Sequence, residues 1–248
     1  MEVPHLPNTC SAIIVAAGSS RRMGFDKLAA ELGGVPVLRR TVEAFLAADS
    51  IESVVVVCPE ELWSLMDGIE LTKSLRRVDG GTDRQDSVAA GLAEISSNYV
   101  AVHDGARPLI SPDDINRCVA AAAMHQAATL ARRVTETLKR ADDEGFSDEA
   151  VSRENLWFME TPQIFGIALL KEAYAAVAEQ GLSITDEVSA TVIAKQSEAK
   201  ASATPAPMPD ELPEISAVRP RSGEAPRLSV IPATPFDRRQ TRTFAPLK

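Results

Sequence analysis

From residue 11 to about residue 195, short apolar runs alternate with stretches in which apolar positions recur every three or four residues. Apolar runs bounded by polar residues read as buried strands, and the three-to-four spacing reads as one face of a helix. Ser11 to Val15 is a first strand. Val35, Leu38, Val42, Phe45 and Leu46 fall on one helical face. Ser53 to Cys58 and Leu75 to Asp79 are further strands, and Val88, Leu92 and Ile95 mark a second helix. Tyr99 to His103 is a fourth strand. Ser111 then reads as a helix N-cap, with Pro112 at the first helical position and Asp113 and Asp114 near the positive helix end. This alternation predicts an α/β fold, a Rossmann-like, mostly parallel sheet with helices on both faces. Sheets of this kind bind ligands at the carboxyl ends of their strands.

Two stretches break the alternation. Between residues 134 and 160, the acidic segment Asp142 to Glu149 separates two short β-like runs, which predicts a protruding β-hairpin arm. After Gln196 the composition changes, and nine of the 16 prolines lie in residues 197–248. The expected organisation is an α/β domain over 1–196, a Pro/Ala-rich linker or disordered insert over 197–226, and a segment over 227–248 that returns to the domain. Leu228 to Ile231 is its candidate strand.

A chain of 248 residues with 45% hydrophobic residues can bury a sizeable core. Its net charge of -9 argues against a broad nucleic-acid-binding face, yet leaves room for a small phosphorylated ligand held by a few local cations. No apolar run approaches the ~20 residues needed to span a bilayer. The N-terminus lacks a basic region followed by an apolar one, so a cytoplasmic location is expected. Cys10, Cys58 and Cys118 are odd in number and far apart, which favours buried free thiols over disulfides or a zinc site.

Three segments carry candidate chemistry. Ala16-Ala17-Gly18-Ser19-Ser20-Arg21-Arg22-Met23-Gly24-Phe25-Asp26-Lys27 follows the first strand directly. It matches neither the dinucleotide nor the P-loop fingerprint. Its small residues still let a backbone approach an anion, and three cations follow within ten residues. Asp79-Gly80-Gly81-Thr82-Asp83-Arg84-Gln85-Asp86-Ser87-Val88 suits a pocket for a base or ribose, or else an ordinary capped turn. Val102-His103-Asp104-Gly105-Ala106-Arg107-Pro108 closes a strand with a carboxylate beside a glycine, which suits Mg²⁺ shared between protein and phosphate oxygens. Arg107 suits a second phosphate. His103 points away from Asp104 along the strand and reads as structural.

Taken in order, these segments resemble the 2-C-methyl-D-erythritol 4-phosphate cytidylyltransferases of non-mevalonate isoprenoid synthesis. Further matches are Thr135-Glu136-Thr137-Leu138-Lys139, Arg153-Glu154-Asn155-Leu156-Trp157, Thr161-Pro162-Gln163-Ile164-Phe165 and Thr185-Asp186-Glu187-Val188-Ser189-Ala190. Glu136 stands where the family has Asp. The family's C-terminal N-I-K segment has its nearest counterpart at Asp237 to Thr241, with Arg239 in place of the Lys.

The resemblance implies transfer of a cytidylyl group from CTP to a polyol phosphate with release of pyrophosphate. It implies Arg22 and Lys27 as charge-stabilising groups and Asp104 as the Mg²⁺ ligand. Ala16, Ala17, Gly18, Gly81, Thr82, Ser87 and Gly105 would surround the nucleotide. Arg107, Thr137, Arg153, Thr161 and Arg239 would hold the acceptor, with Thr137 supplied by the partner of a homodimer joined through the 134–160 arm. Ribitol 5-phosphate as acceptor and a catalytically impaired nucleotide-binding relative are the competing readings.

Overall fold

In the computed structural model the described residues are 10–18, 26–184, 186–193 and 227–232. Arg22, Arg239 and the 197–226 segment therefore lie outside the described residues.

The chain opens with β1 (Cys10–Val15) and, after the loop that follows it, the short pair β2 (Glu31–Leu32) and β3 (Val35–Pro36). Helix α1 (Val37–Ala47) leads to β4 (Ile51–Val57), the single turn α2 (Glu60–Trp63) and β5 (Ser74–Val78). Next come α3 (Arg84–Ala93), β6 (Tyr99–Asp104), α4 (Pro112–His125) and β7 (Gln126–Arg133). The hairpin strands β8 (Leu138–Ala141) and β9 (Ser147–Val151) precede β10 (Trp157–Gly166) and α5 (Ile167–Glu179). Residues 187–193 are helical, and β11 (Arg227–Pro232) is the last described element.

The main sheet has seven strands in the order β11-β7-β10-β6-β1-β4-β5. Only β10 runs antiparallel to its neighbours, so the sheet is mostly parallel, as the strand-helix alternation predicts. Because successive side chains on a strand face opposite ways, β1 feeds two cores. Cys10, Ala12 and Ile14 pack with α1 and α4 residues such as Leu38, Phe45, Ile115 and Cys118 on one face. Ile13 packs with Val88 and Leu92 of α3 and Leu170 of α5 on the other. All three cysteines are buried free thiols, and burial pushes Cys58 up to about 11.

Helix α4 begins as its sequence predicts. Pro112 occupies the first helical position, and Ser111 Oγ accepts the Asp114 N–H at 3.1 Å. Two expectations need correction. Val35 is not part of α1: it sits in β3, because the residue before a proline is pushed out of the helical region and the helix starts only after Pro36. The arm is also shorter than 134–160. Trp157, Phe158 and Met159 pair with Arg133, Arg132 and Ala131, so they belong to the main sheet. The hairpin itself is β8 and β9, a separate two-stranded ribbon. Among the described residues no helix is long and apolar enough to cross a membrane.

Phe45 is fully buried and its ring lies 4.9 Å from that of His103, beneath the carboxyl end of β6. Phe45→Ala should destabilise the fold by about 3–5 kcal/mol, through lost transfer energy and the cavity left behind. Leu71, 63% exposed, is the control, and Leu71→Ala should stay within about 0.5 kcal/mol of the parent. Equal denaturation midpoints for the two variants would contradict this placement of the core.

Candidate active site

The carboxyl ends of β1 and β6 carry adjacent loops. Gly105 N–H donates to Val15 O at 2.9 Å and Ala16 N–H to Val57 O at 2.8 Å, which locks the strand ends together. The loop before α3 folds over them. Ser87 Oγ accepts the Gly81 N–H at 3.2 Å and donates to Asp83 O at 3.1 Å, while Asp86 accepts the Asp83 N–H at 3.2 Å. A Cβ on Gly80 would stand 2.2 Å from that of Ala17, so only glycine permits this approach of the two loops.

The loops enclose a cavity of about 950 Å³. Ala16, Ala17, Gly18, Lys27, Gly81, Thr82, Ser87, Asp104 and Arg107, nominated separately from the sequence, all line it. Gly105 is not among its walls. It is a packing position, where an added Cβ would lie 2.9 Å from Leu38 Cδ1.

A second cavity of about 690 Å³ lies on the other side of Arg107, and Ala106 and Arg107 border both. Thr161 lines it, together with Glu160 of β10 and Thr135, between β7 and β8. Thr137 and Arg153 do not. Both are exposed on the arm, where Arg153 donates to the Thr135 carbonyl. The cavity also holds Arg132 and Arg133, which no motif in the sequence singles out. Arg132 lies 3.4 Å from Glu160 and 3.6 Å from Glu136. Arg133 has no carboxylate partner among the described residues; its guanidinium sits 4.6 Å from the Trp157 ring centroid.

Asp104 lines the larger cavity beside Arg107, which borders both. Arg107 Nε donates to its Oδ2 at 2.9 Å, and Arg84 Nη2 to its Oδ1 at 3.3 Å. Burial alone would raise the Asp104 carboxyl, but the two guanidiniums hold it below the usual carboxylate range. It is therefore an anion at neutral pH. Among the described residues no cluster of three or more acidic, His or Cys side chains could cage a metal. The donor set fits Mg²⁺ all the same, because that ion keeps several waters and needs only one or two carboxylates when substrate phosphates supply the rest.

His103 is fully buried, as its structural reading requires, and joins both sides of the site. A carbonyl can only accept, so Nε2–H donates to Arg107 O at 3.2 Å and Nδ1 accepts the Thr161 hydroxyl at 2.9 Å. Thr161 Oγ1 in turn accepts the Asp104 N–H at 3.3 Å. One neutral imidazole thus fixes the Arg107 backbone and the Thr161 hydroxyl together.

Comparison with known proteins accords with this geometry. Residues 10–199 match the family model described as 2-C-methyl-D-erythritol 4-phosphate cytidylyltransferase. A protein of that description from Pelotomaculum thermopropionicum is 39% identical over 186 residues, covering 71% of this chain and 78% of its own. One from Halalkalibacterium halodurans is also 39% identical over 186 residues, covering 72% and 81%. The crystal structure of 2-C-methyl-D-erythritol 4-phosphate cytidylyltransferase from Thermus thermophilus superposes with a TM-score of 0.64 at 27% identity, over 91% of this chain and 89% of that one. The fold is shared as well with 4-diphosphocytidyl-2C-methyl-D-erythritol synthase from Anaerococcus prevotii, at a TM-score of 0.69 and 22% identity over 91% and 89% of the two chains.

Burial, above all, lowers the His103 pKa from 6.5 to about 4. Between those values the unfolded chain binds a proton that the folded chain rejects. The stability this residue contributes is complete above about pH 6.5 and is lost as the pH falls towards 4. His103→Gln should flatten that part of the stability profile. Urea midpoints at pH 7 and pH 5 check it: the parent should lose more on acidification than the variant, and equal losses would refute the assignment.

Proposed function

The chain belongs to the 2-C-methyl-D-erythritol 4-phosphate cytidylyltransferase family, and on that premise we propose that its two cavities hold CTP and 2-C-methyl-D-erythritol 4-phosphate side by side for direct cytidylyl transfer. The observation that carries this reading is the shared border at Ala106 and Arg107, with Asp104 on the nucleotide side of it. The larger cavity is walled by the loops after β1 and before α3, and it takes the nucleotide. The smaller one holds arginines and the Thr161 hydroxyl, and it takes the polyol phosphate.

A phosphate oxygen of the acceptor attacks the α-phosphorus of CTP. The bond from that phosphorus to the β-phosphate bridging oxygen breaks, and pyrophosphate leaves. The acceptor phosphate has its second pKa near ~6 and is mostly a dianion at neutral pH, so no strong general base is needed. The protein's task is positioning and charge neutralisation. Lys27 lies at the nucleotide cavity and meets the charge that builds on the α- and β-phosphates, with Arg22, earlier in the same sequence motif, as its companion. Asp104 is the residue that would hold Mg²⁺, which when bound neutralises and orients the triphosphate. Arg107, fixed by His103 through its backbone, faces both substrates.

Arg133 is the acceptor-side cation least neutralised by carboxylates. It joins Arg107, Thr161 and, from the C-terminal segment, Arg239 in holding the acceptor phosphate. Thr137 and Arg153 on the arm line neither of these two cavities; they serve the partner's acceptor site in a homodimer joined through β8 and β9. A two-stranded ribbon is poorly stable alone, and exposed Phe146 at its tip is an apolar contact for the second subunit.

Pyrophosphate release from CTP, measured with methylerythritol phosphate and with ribitol 5-phosphate, tests the reading. Turnover is expected with the former; turnover with ribitol 5-phosphate alone would overturn the acceptor assignment. Lys27→Ala and Arg22→Ala should each lower kcat by ~10²–10³-fold while the protein stays folded. Either variant keeping more than a tenth of the parental kcat would remove that residue from the catalytic set. Arg133→Ala should raise the KM for the acceptor about tenfold or more, as loss of one charged contact to a phosphate does, with the KM for CTP unchanged. A rise in both would assign Arg133 to general stability instead.

A further inference from the structure

Among the described residues Glu187 is the most deeply buried carboxylate. Its side chain is 0% exposed, yet it lies far in sequence from the loops that build the nucleotide cavity. Arg84 grips it with two bonds, Nη1 to Oε1 at 2.6 Å and Nη2 to Oε2 at 3.1 Å. The Tyr174 hydroxyl donates to Oε1 at 3.1 Å. Its backbone is anchored as well: Gln163 Oε1 accepts the Glu187 and Val188 N–H groups at 3.1 and 3.2 Å, and Gln163 Nε2 donates to Asp186 at 3.2 Å. The carboxylate raises the Arg84 guanidinium above its usual value despite burial.

The other end of this pair reaches the site. Arg84 lines the nucleotide cavity, and its Nη2 also donates to Asp104. A guanidinium carries five N–H donors in a rigid fork, so clamping one edge on Glu187 fixes where the others stand. A buried ion pair is weak evidence of a stabilising role, because well-packed apolar residues usually serve as well or better. A bidentate pair that ends on the site's central carboxylate calls for another explanation.

We propose that Glu187 is a positioning residue for nucleotide binding: it locks Arg84 at the cavity wall, where Arg84 orients the Asp104 carboxylate and adds a cation against the triphosphate. This rests on the larger cavity being the CTP site. Without Glu187, Arg84 keeps only its bond to Asp104 and is free to move with it or into solvent, and the cavity loses the fixed placement of both charges.

The test is CTP binding by calorimetry in the presence of Mg²⁺, read alongside thermal melting and pyrophosphate release. The variants are Glu187→Gln, Arg84→Met, Glu187→Leu and the double variant Arg84→Met/Glu187→Leu. Glu187→Gln keeps the shape and should fold, but weaken CTP on the order of tenfold, as expected when a charged bidentate contact is lost. The double variant should melt close to the parent, since an apolar pair replaces the ion pair. It should nevertheless bind CTP no better than Arg84→Met alone, because Glu187 acts only through Arg84. Parental CTP affinity in the folded Glu187→Gln variant or in the double variant would overturn the proposal and make the pair purely structural. So would a loss on Glu187→Leu that is equally large with and without Arg84. If the parent binds CTP but releases no pyrophosphate with either acceptor, the transfer reading fails while the binding comparison still decides the role of Glu187.

Discussion

The site is organised around one carboxylate held between two guanidiniums. Asp104 ends β6 with Arg107 on one oxygen and Arg84 on the other. An anion so placed is partly desolvated, and the two cations outweigh that effect and favour its charged form. Each cation is tied to a different part of the fold. Arg84 starts α3 and is clamped by Glu187 from the helical residues beyond α5, whereas the Arg107 backbone is held by His103 from within the core. Moving any of these elements changes the charge presented to both cavities.

The core and the site are therefore one structure. Phe45 packs on His103, His103 orders Thr161, and Thr161 accepts the Asp104 backbone N–H. The antiparallel strand β10 delivers both Thr161 to the acceptor side and Gln163, which caps the segment carrying Glu187. Close packing transmits strain rather than absorbing it. Substitutions beneath the sheet end should therefore alter substrate affinity as well as stability.

Much of this is legible in the chain. Apolar periodicity locates β1, β4, β5 and β6 and the helices α1 and α3, because burial dictates those patterns wherever the fold places them. Ser111 and Pro112 announce the start of α4 because capping is decided by neighbours in sequence. The loop residues Gly18, Lys27, Gly81, Ser87 and Asp104 sit in one cavity because each follows a strand end or opens a helix on the same side of a parallel sheet. Other features depend on contacts that no local pattern carries. In sequence Arg84 is one polar residue of a turn, since its partner Glu187 lies far along the chain. Arg132 and Arg133 belong to no motif in the sequence, and only the approach of β6, β7 and β10 turns them into a cavity wall. Gly105 reads as a nucleotide contact, although its lack of a side chain serves the packing of Leu38.

The acceptor and CTP meet directly across Asp104 and Arg107 in this account, with no covalent nucleotidyl enzyme between them. Stereochemistry at the transferred phosphorus tests this most directly. A single diastereomer of CTP carrying sulfur on its α-phosphorus would be turned over with methylerythritol phosphate, and the configuration of the diphosphate product determined. One in-line displacement predicts inversion at that phosphorus. Retention would require two successive displacements through an enzyme-bound intermediate and would contradict the side-by-side arrangement.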